Sequence, residues 1–252
     1  MSFRAFVTSR PGAAASLIAV IILAAAGGWY FGARRDMPIP AERARVEGIV
    51  RDYILAHPEI IPEAIDRLRA KAGNDAYAAN RHALETPFAS AWAGAKDGDV
   101  TLVMFSDYAC GFCRASLADV DRLIAEDPHL KVVWREIPIL GPGSEAAARA
   151  ALAAARQGQF RAFHTRMFEV GVPNAARVSA VLASLPLDQA RAAADAKSPE
   201  VAGELRGNLE LAGKIDPSLA TPTFVIAGTV LKGAVGYEAL KQAISQVRAK
   251  RR

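Results

Sequence analysis

The hydrophobic positions of this chain change their spacing several times, and each spacing predicts a different element. An uncharged run occupies residues 13–33, and residues 46–72 then place apolar side chains at helical spacing on both sides of Pro58. Residues 99–108 and 130–140 are short, apolar and rich in β-branched residues, as strands are, and the stretch between them returns to helical spacing. The pattern predicts a helical N-terminal region followed by strand, helix and strand.

The rest of the chain continues with helices and then closes with strands. Residues 144–214 read as several Ala-rich helices, and a stretch of this length is too long for a loop. Residues 221–233 supply two short strands about a turn at Ala227 and Gly228, and residues 236–250 form a final amphipathic helix. This order predicts an α/β domain whose two halves are separated by a helical insertion.

Length and charge limit the kinds of protein that fit. The chain has 252 residues, enough for one domain with appendages, and its net charge of +5 is modest. Much of the positive excess lies at the two ends: Arg4, Arg10, Arg34, Arg35, Arg248, Lys250, Arg251 and Arg252. A nucleic-acid surface would need basic residues along one organised face, so we expect no nucleic-acid partner.

The uncharged run at residues 13–33 predicts export. At about 1.5 Å per residue it is long enough to cross a bilayer core of about 30 Å. Arginines at 34–35 end the run, and the aromatic cluster at 29–31 falls where an interfacial belt would lie. Two interpretations fit: a retained membrane anchor or a cleaved signal peptide. We prefer the retained anchor because the uncharged run is long and ends in aromatic residues. Both interpretations place residues 36–252 outside the cytoplasm, in an oxidising compartment.

The only two cysteines, Cys110 and Cys113, are separated by two residues. A bridge across so short a span closes almost no loop, so it would not stabilise an exported domain in the usual way. A zinc site would need two further ligands, and the four histidines form no second pair. The spacing therefore indicates a redox dithiol, for which we expect neither a metal nor a bound cofactor.

The surrounding sequence gives the two sulfurs different roles. Cys110 follows the first predicted strand and begins the next helix, where unpaired amides and the helix dipole favour a thiolate. We therefore predict that Cys110 is the nucleophile, with a lowered pKa, and that Cys113, one turn further on, resolves the mixed disulfide. A dithiol at the first junction of a strand, helix, strand unit is typical of a thioredoxin-like domain.

Several stretches in this order and spacing resemble the DsbA family of thiol:disulfide oxidoreductases, over most of residues 45–248: FSDYACGFC, REIPILGPGSEAAARAALAA, QGQFRAFHTRMFE and TPTFVIAG. The resemblance implies a thioredoxin-like fold with an inserted α-helical domain. It also implies a cis peptide bond between Thr221 and Pro222, with the preceding backbone lying against the dithiol and pairing with substrate. Thr221, Pro222, Gly111 and Phe112 are accordingly the predicted substrate-binding residues.

The hydrophobic pattern and the resemblance together divide the chain into segments. These are a membrane anchor or signal peptide at 1–35, a helical spacer at 36–85, the two halves of the thioredoxin-like domain at 86–142 and 216–252, and the helical insertion at 143–215. The spacer resembles the N-terminal segment of a subgroup that includes the copper-sensitivity-suppressor protein ScsC. This segment supports oligomers in part of that subgroup, so a homo-oligomer is one expectation for this chain. The preferred expectation is that the segment is a spacer packed on the catalytic domain.

The function implied by the resemblance is disulfide exchange with cysteine-containing exported proteins at the periplasmic side of the inner membrane, with a membrane redox partner that resets the dithiol. Gly111 and Phe112 lack the histidine that stabilises the thiolate in the family's strong oxidant. The direction therefore stays open between oxidase and isomerase or reductase. Outside the enzyme class, the alternative is a module that binds Cu(I) through both thiolates, since soft ligands select that ion.

Four further residues near the dithiol receive weaker assignments. Asp107 is expected to cap the helix, with acceptance of a proton during exchange as the alternative. Tyr108 is either an apolar rim for substrate or a packed aromatic. Glu136 is weighed, without being preferred, as an acid that helps to deprotonate the buried cysteine. His164 is interpreted as a satisfied helical histidine and is given no catalytic role.

Overall fold

The computed structural model describes residues 40–251 together with Leu23, Gly28 and Trp29. Apart from those three residues, the predicted anchor at 13–33 lies outside the described residues. No helix in the described part of the chain has the length and apolar character needed to cross a membrane. The chain divides into two units, residues 1–64 and residues 65–252.

The first unit contains helix α1, Pro40–Ala56, and the start of helix α2, Ile60–Glu85. The predicted break at Pro58 is confirmed, as expected for a residue that lacks a backbone donor and disfavours helix in the residue before it. Large apolar side chains of α1 remain exposed to solvent: Val46, Ile49, Val50, Tyr53 and Leu55.

The second unit is built on a five-stranded sheet of order β1-β3-β2-β4-β5. Its strands are β1 Trp92–Gly94, β2 Val100–Ser106, β3 Leu130–Glu136, β4 Thr223–Ile226 and β5 Thr229–Lys232. Strands β2 and β3 are parallel, and the other neighbours are antiparallel. Alternate residues of β2 enter two cores, Leu102 and Met104 on one face and Val103 and Phe105 on the other.

The central strands are shorter than the hydrophobic pattern predicts. Strand β2 ends at Ser106, where Asp107 begins a turn, and β3 ends before Pro138, which cannot donate to a ladder. The hairpin of β4 and β5 about Ala227 and Gly228 is confirmed. Strand β1 is absent from the sequence prediction because three residues carry too little pattern.

The helix predicted after β2 is divided into α3, Gly111–Ala115, and α4, Leu117–Glu126. At the junction, the Ser116 hydroxyl donates to the Phe112 carbonyl at 2.9 Å. A side chain that bonds the carbonyl four residues back often bends a helix. The prediction of one continuous helix is therefore wrong, because a local bend divides it in two. Both cysteines still lie at the first turn, as predicted.

The helical insertion predicted between β3 and β4 is confirmed as a set of helices. They are α5 Pro142–Ala155, α6 Phe160–Glu169, α7 Ala175–Ala183, α8 Gln189–Ala196 and α9 Pro199–Ile215, and α10 Tyr237–Lys250 follows the sheet. Side chains of Asn174, Asp188 and Ser198 cap the last three of the insertion. Every residue from Ala150 to Ala155 in α5 is buried, and all but Leu152 are alanine.

Candidate active site

The two cysteines lie where β2 leads into α3. Cys110 is the N-cap residue of α3, and its Sγ accepts a hydrogen bond from the Cys113 amide at 3.4 Å. The predicted position at a helix N-terminus is thus confirmed. Cys110 is 6% exposed, whereas Cys113 is fully buried, so Cys110 is the more accessible of the two residues.

A second segment, the residues that enter β4, meets the dithiol. The Thr221–Pro222 peptide bond is cis, as the resemblance implies. Sγ of Cys110 lies 3.2 Å from the carbonyl oxygen of Thr221. The Thr223 hydroxyl donates to the Ala220 carbonyl at 2.7 Å. This bond stabilises the turn of residues 220–223, which contains the cis peptide bond.

The loop before the cis peptide bond is organised by Asp216. This buried carboxylate accepts hydrogen bonds from the amide and hydroxyl of Ser218, at 3.1 and 2.6 Å. The ammonium of Lys232 on β5 pairs with it at 2.6 Å. Asp216 therefore ties the loop that carries Thr221 to the edge of the sheet.

Hydrogen bonds lower the pKa of Cys110 to about 5. The largest contribution is the bond with the Cys113 thiol, and further bonds come from the Thr221 side chain and from the amides of Cys113 and Phe112. They outweigh the burial of the sulfur, which acts in the opposite direction. Cys110 is therefore a thiolate near neutral pH, although no histidine stands between the cysteines.

Cys113 has the opposite electrostatic environment. Burial, followed by the bond to Cys110, raises the pKa of the Cys113 thiol far above its ordinary value. Cys113 is therefore protonated at neutral pH, and any step in which it attacks or leaves must also move a proton.

A buried polar cluster lies behind the dithiol, formed by Ser106, Tyr108, Glu136 and His164. The Ser106 hydroxyl donates to Oε2 of Glu136 at 3.4 Å, and Oε1 of Glu136 lies 3.6 Å from Nδ1 of His164. Burial raises the pKa of Glu136 to about 8, and the Glu136 charge contributes to the raised pKa of Cys113. Glu136 is thus a carboxyl group that titrates near neutral pH within the electrostatic field of the dithiol.

The interpretation of His164 as a satisfied helical histidine is wrong. Its Nδ1 lies 3.0 Å from the Tyr108 hydroxyl, while its buried Nε2 has no hydrogen-bond partner within residues 40–251. Burial lowers the pKa of His164 to about 3, so the ring stays neutral. The spacing of Phe160, His164 and Phe168 puts the histidine on the apolar face of α6, and this signal identifies its burial from sequence alone.

Asp107 does not cap a helix, so this expectation is also corrected. Its carboxylate accepts hydrogen bonds from the amides of Ala109, Ile139 and Leu140 at 2.7, 2.8 and 2.9 Å. The hydroxyl of Ser144 donates to it at 2.5 Å. Asp107 therefore fastens the turn before the cysteines to the loop after β3 and to the start of α5.

The residues between the cysteines face outward. Phe112 is 66% exposed, and a side chain at Gly111 would meet open space. Tyr108, in contrast, is fully buried among Phe163, His164 and Phe168, so it is a packed aromatic and no rim for substrate. Of the predicted site residues, the structure places the Cys113 amide and the Thr221 carbonyl against the Cys110 sulfur. Gly111 and Phe112 follow Cys110 in α3, and Pro222 is joined to Thr221 by the cis bond.

A sheet of this topology, with a CxxC pair at a helix N-terminus and a cis-proline beside it, defines the thioredoxin-like class of thiol-disulfide oxidoreductases. Residues 101–245 match the family model of the DSBA-like thioredoxin domain, and the chain belongs to that family. Residues 42–73 match the model of the copper resistance protein ScsC N-terminal domain. The predicted membership of the DsbA family and the likeness of the N-terminal segment to ScsC are confirmed.

Solved structures show the same likeness. A thioredoxin-like oxidoreductase from Silicibacter pomeroyi DSS-3 is 37% identical, with a TM-score of 0.60, and the match covers 63% of this chain and 91% of that one. Proteus mirabilis ScsC in a transitional conformation is 28% identical, with a TM-score of 0.62, and the match covers 84% of this chain and all of that one.

A likeness to part of a longer protein is also found. The Na(+)/H(+) antiporter NhaA 1 of Salinispora arenicola is 28% identical over 160 residues, which are 60% of this chain and 24% of that protein. The chain thus spans about a quarter of the length of the curated relatives that it matches.

Proposed function

We propose that this chain exchanges disulfides with cysteine-containing exported proteins through the Cys110 sulfur. The observation that carries the proposal is the contrast between the two sulfurs. Cys110 is a stabilised thiolate beside the Thr221 backbone, whereas Cys113 is a buried thiol directly behind it. One sulfur is therefore suited to meet a partner, and the other to resolve the mixed disulfide.

In the oxidising direction, a substrate thiolate attacks Sγ of Cys110 in the Cys110–Cys113 disulfide. A bond forms between substrate and Cys110, and Cys113 leaves with the electron pair of the broken bond. A second substrate thiolate then attacks the substrate sulfur of the mixed disulfide and releases the Cys110 thiolate. Two electrons have passed from the substrate to the dithiol, and the reverse sequence reduces a substrate disulfide.

Glu136 supplies the proton that this sequence needs. Cys113 must gain a proton when it leaves, because its pKa lies far above neutral. The pKa of Glu136, about 8, allows the carboxyl group to give this proton up and to take it back in the opposite direction. The return step, in which Glu136 helps to deprotonate Cys113, is the role weighed for it from the sequence.

The substrate chain lies along the residues that border Cys110. The backbone at Thr221, ahead of Pro222, offers a main-chain edge to an extended peptide, and the exposed Phe112 beside Gly111 offers an apolar contact. Contacts of this kind do not read a particular sequence, which suits an enzyme that acts on many unfolded proteins.

The lowered pKa of Cys110 favours the oxidising direction. A stabilised thiolate stabilises the reduced form, so the disulfide form gives up its bond more readily. A membrane redox partner would then reoxidise the dithiol. The uncharged run at 13–33 supports a position at the periplasmic side of the inner membrane, either anchored or after signal cleavage.

The test is the equilibrium of the full chain with glutathione buffers, combined with capture of substrates. A potential near about −120 mV marks a disulfide donor, and one near about −200 mV or below marks an isomerase or reductase. Cys113→Ser should accumulate mixed disulfides with exported proteins through Cys110, and Cys110→Ser should not. Absence of exchange, together with tight Cu(I) binding by the reduced protein, would instead support the copper-binding alternative.

We also propose that α1 mediates self-association. Its exposed residues Val46, Ile49, Val50 and Tyr53 are spaced to form one apolar stripe along the helix, and the match to the ScsC N-terminal domain covers this region. Sedimentation of the full chain should show an oligomer that Ile49→Lys dissociates. The matched control is Arg51→Lys on the same helix. A monomer in both wild type and control would leave the helix as a spacer.

A further inference from the structure

The cluster behind the dithiol is costly to bury and is not needed to fill space. Tyr108, Glu136 and His164 are each at most 1% exposed, and aromatic rings surround His164, with Phe160 stacked on it at 5.3 Å and Phe168 edge-on at 5.0 Å. Among the described residues, Oε1 of Glu136 and Nε2 of His164 are buried without a hydrogen-bond partner. An apolar side chain would avoid this cost, which indicates that the polar atoms serve a function.

Two acceptors of the cluster, Nδ1 of His164 and the Glu136 carboxylate, compete for the proton of the Tyr108 hydroxyl. The Tyr108 hydroxyl lies 3.0 Å from Nδ1 of His164, and the unpaired Oε1 of Glu136 lies 3.6 Å from the same nitrogen. Both acceptors thus lie beside one hydroxyl, and hydrogen bonding by Tyr108 is among the influences that lower the pKa of Glu136. A hydroxyl carries a single proton, so it donates to only one of these acceptors at a time. Which acceptor it serves depends on whether Glu136 itself holds a proton.

We propose that the Tyr108 hydroxyl is a switch that donates to Nδ1 of His164 while Glu136 is protonated, and turns to the Glu136 carboxylate once that proton has left. His164 acts as the alternative acceptor. Tyr108 and His164 are thus positioning residues for proton exchange between Glu136 and Cys113. The switch rests on the exchange reaction proposed above, since it acts only through Cys113.

The two residues should act on Glu136 in opposite directions. Donation from Tyr108 stabilises the carboxylate and lowers the pKa of Glu136. His164 offers the same hydroxyl another acceptor, so it stabilises the protonated carboxyl and raises that pKa. With both residues present, the pKa of Glu136 lies between the value expected with Tyr108 alone and the value expected with His164 alone.

Among the described residues, the charged groups that act on the cluster lie on separate elements. Arg161 on α6 and Asp121 on α4 form an ion pair at 2.5 Å, so their effects on His164 oppose each other. Asp107, in the turn after β2, disfavours ionisation of Glu136, and Cys113 on α3 is the thiol with which the cluster exchanges its proton. His164 stays neutral across the working range, so it accepts a hydrogen bond and adds no charge.

The experiment is stopped-flow reaction of the reduced full chain with DTNB across pH. The first thionitrobenzoate leaves when the Cys110 thiolate attacks the reagent, and the second leaves when Cys113 loses its proton and attacks Sγ of Cys110. The midpoint of the second phase against pH therefore reports the proton exchange. Absence of the first phase would refute the exchange function itself, whereas the switch is judged on the second phase alone.

The expected shifts have opposite signs. Tyr108→Phe should move the midpoint up by about one pH unit, and His164→Phe should move it down by a similar amount. His164→Asn places an amide acceptor near the position of Nδ1 and should restore the wild-type midpoint. Phe168→Leu alters the same aromatic cage without touching a hydrogen bond and should leave the midpoint unchanged.

A purely structural role would move both variants in the same direction or move neither, and either result would overturn the switch. If Tyr108→Phe does not fold, the two variants His164→Phe and His164→Asn test the switch on their own. Equal second-phase midpoints in these two variants would also overturn the switch. Titration of the Glu136 carboxyl by ¹³C NMR in the same variants should reproduce the order of the midpoints.

Discussion

The carbonyl oxygen of Thr221 lies 3.2 Å from Sγ of Cys110, although 111 residues separate the two in sequence. The contact follows from the sheet, because β4 runs antiparallel to β2 and Phe105 is paired with Thr223. The chain that enters β4 therefore passes the point where the chain leaves β2. Hydrogen bonding by the Thr221 side chain is among the influences that lower the pKa of Cys110.

Thr221→Val should raise the pKa of Cys110 from about 5 by roughly half to one pH unit, because valine keeps the shape of the side chain and removes the hydroxyl donor. Thiolate absorbance at 240 nm against pH measures the change. Thr229→Val, on the edge strand β5, is the matched control and should titrate as wild type does. An unchanged midpoint in Thr221→Val would show that the backbone alone stabilises the thiolate.

Glu136→Gln should be more stable than wild type, and the difference should grow as pH rises. The pKa of Glu136 is raised from 4.5 to about 8 on folding, so its favourable contribution is complete below pH 4.5 and is lost as pH rises to about 8. Glutamine has no charge to bury, so the variant should gain up to about 1.4 kcal/mol per pH unit relative to wild type across that window. Urea unfolding of the reduced proteins at pH 5 and pH 8 measures the difference; parallel pH dependences would contradict it.

Asp107→Asn should destabilise the protein by about 2 to 4 kcal/mol. The amide nitrogen of asparagine would face backbone donors at Ile139 or Leu140, where the carboxylate now accepts. Urea unfolding gives the loss of stability. The exposed Asp97→Asn serves as the control, with an expected change within about 0.5 kcal/mol; equal effects in the two variants would remove Asp107 from its structural role.

Arg135→Met should cost about 3 to 5 kcal/mol, because it leaves buried acceptors unpaired. The guanidinium donates to carbonyls at the end of α2, among them those of Ala83 and Thr86, and pairs with Glu204 at 2.7 Å. Unfolding by urea tests this, with Arg122→Met on the exposed face of α4 as the control. A loss below about 1 kcal/mol would mean that the buried arginine is nearly neutral in net energy.

Most elements of the fold follow from hydrophobic spacing, because strands, helices and their order depend on local pattern. Cys110 at the start of a helix is likewise a local feature. The cluster around Glu136 cannot be predicted from local sequence pattern. Tyr108 and His164 are 56 residues apart in sequence, so only tertiary packing brings them together. Asp107 was misassigned for the same reason, because its partners Ile139 and Leu140 belong to a distant loop.

The alanine face of α5 limits how the insertion can change over evolutionary time. Alanine loses almost no rotamer freedom on folding, so the helix packs against its neighbours at little entropic cost. Residues Ala150 and Ala151 are enclosed, however, and larger side chains there would force the surrounding helices apart. Variation in the insertion is therefore expected to accumulate on its outward faces, where new contacts with partners can arise while the helices keep their places.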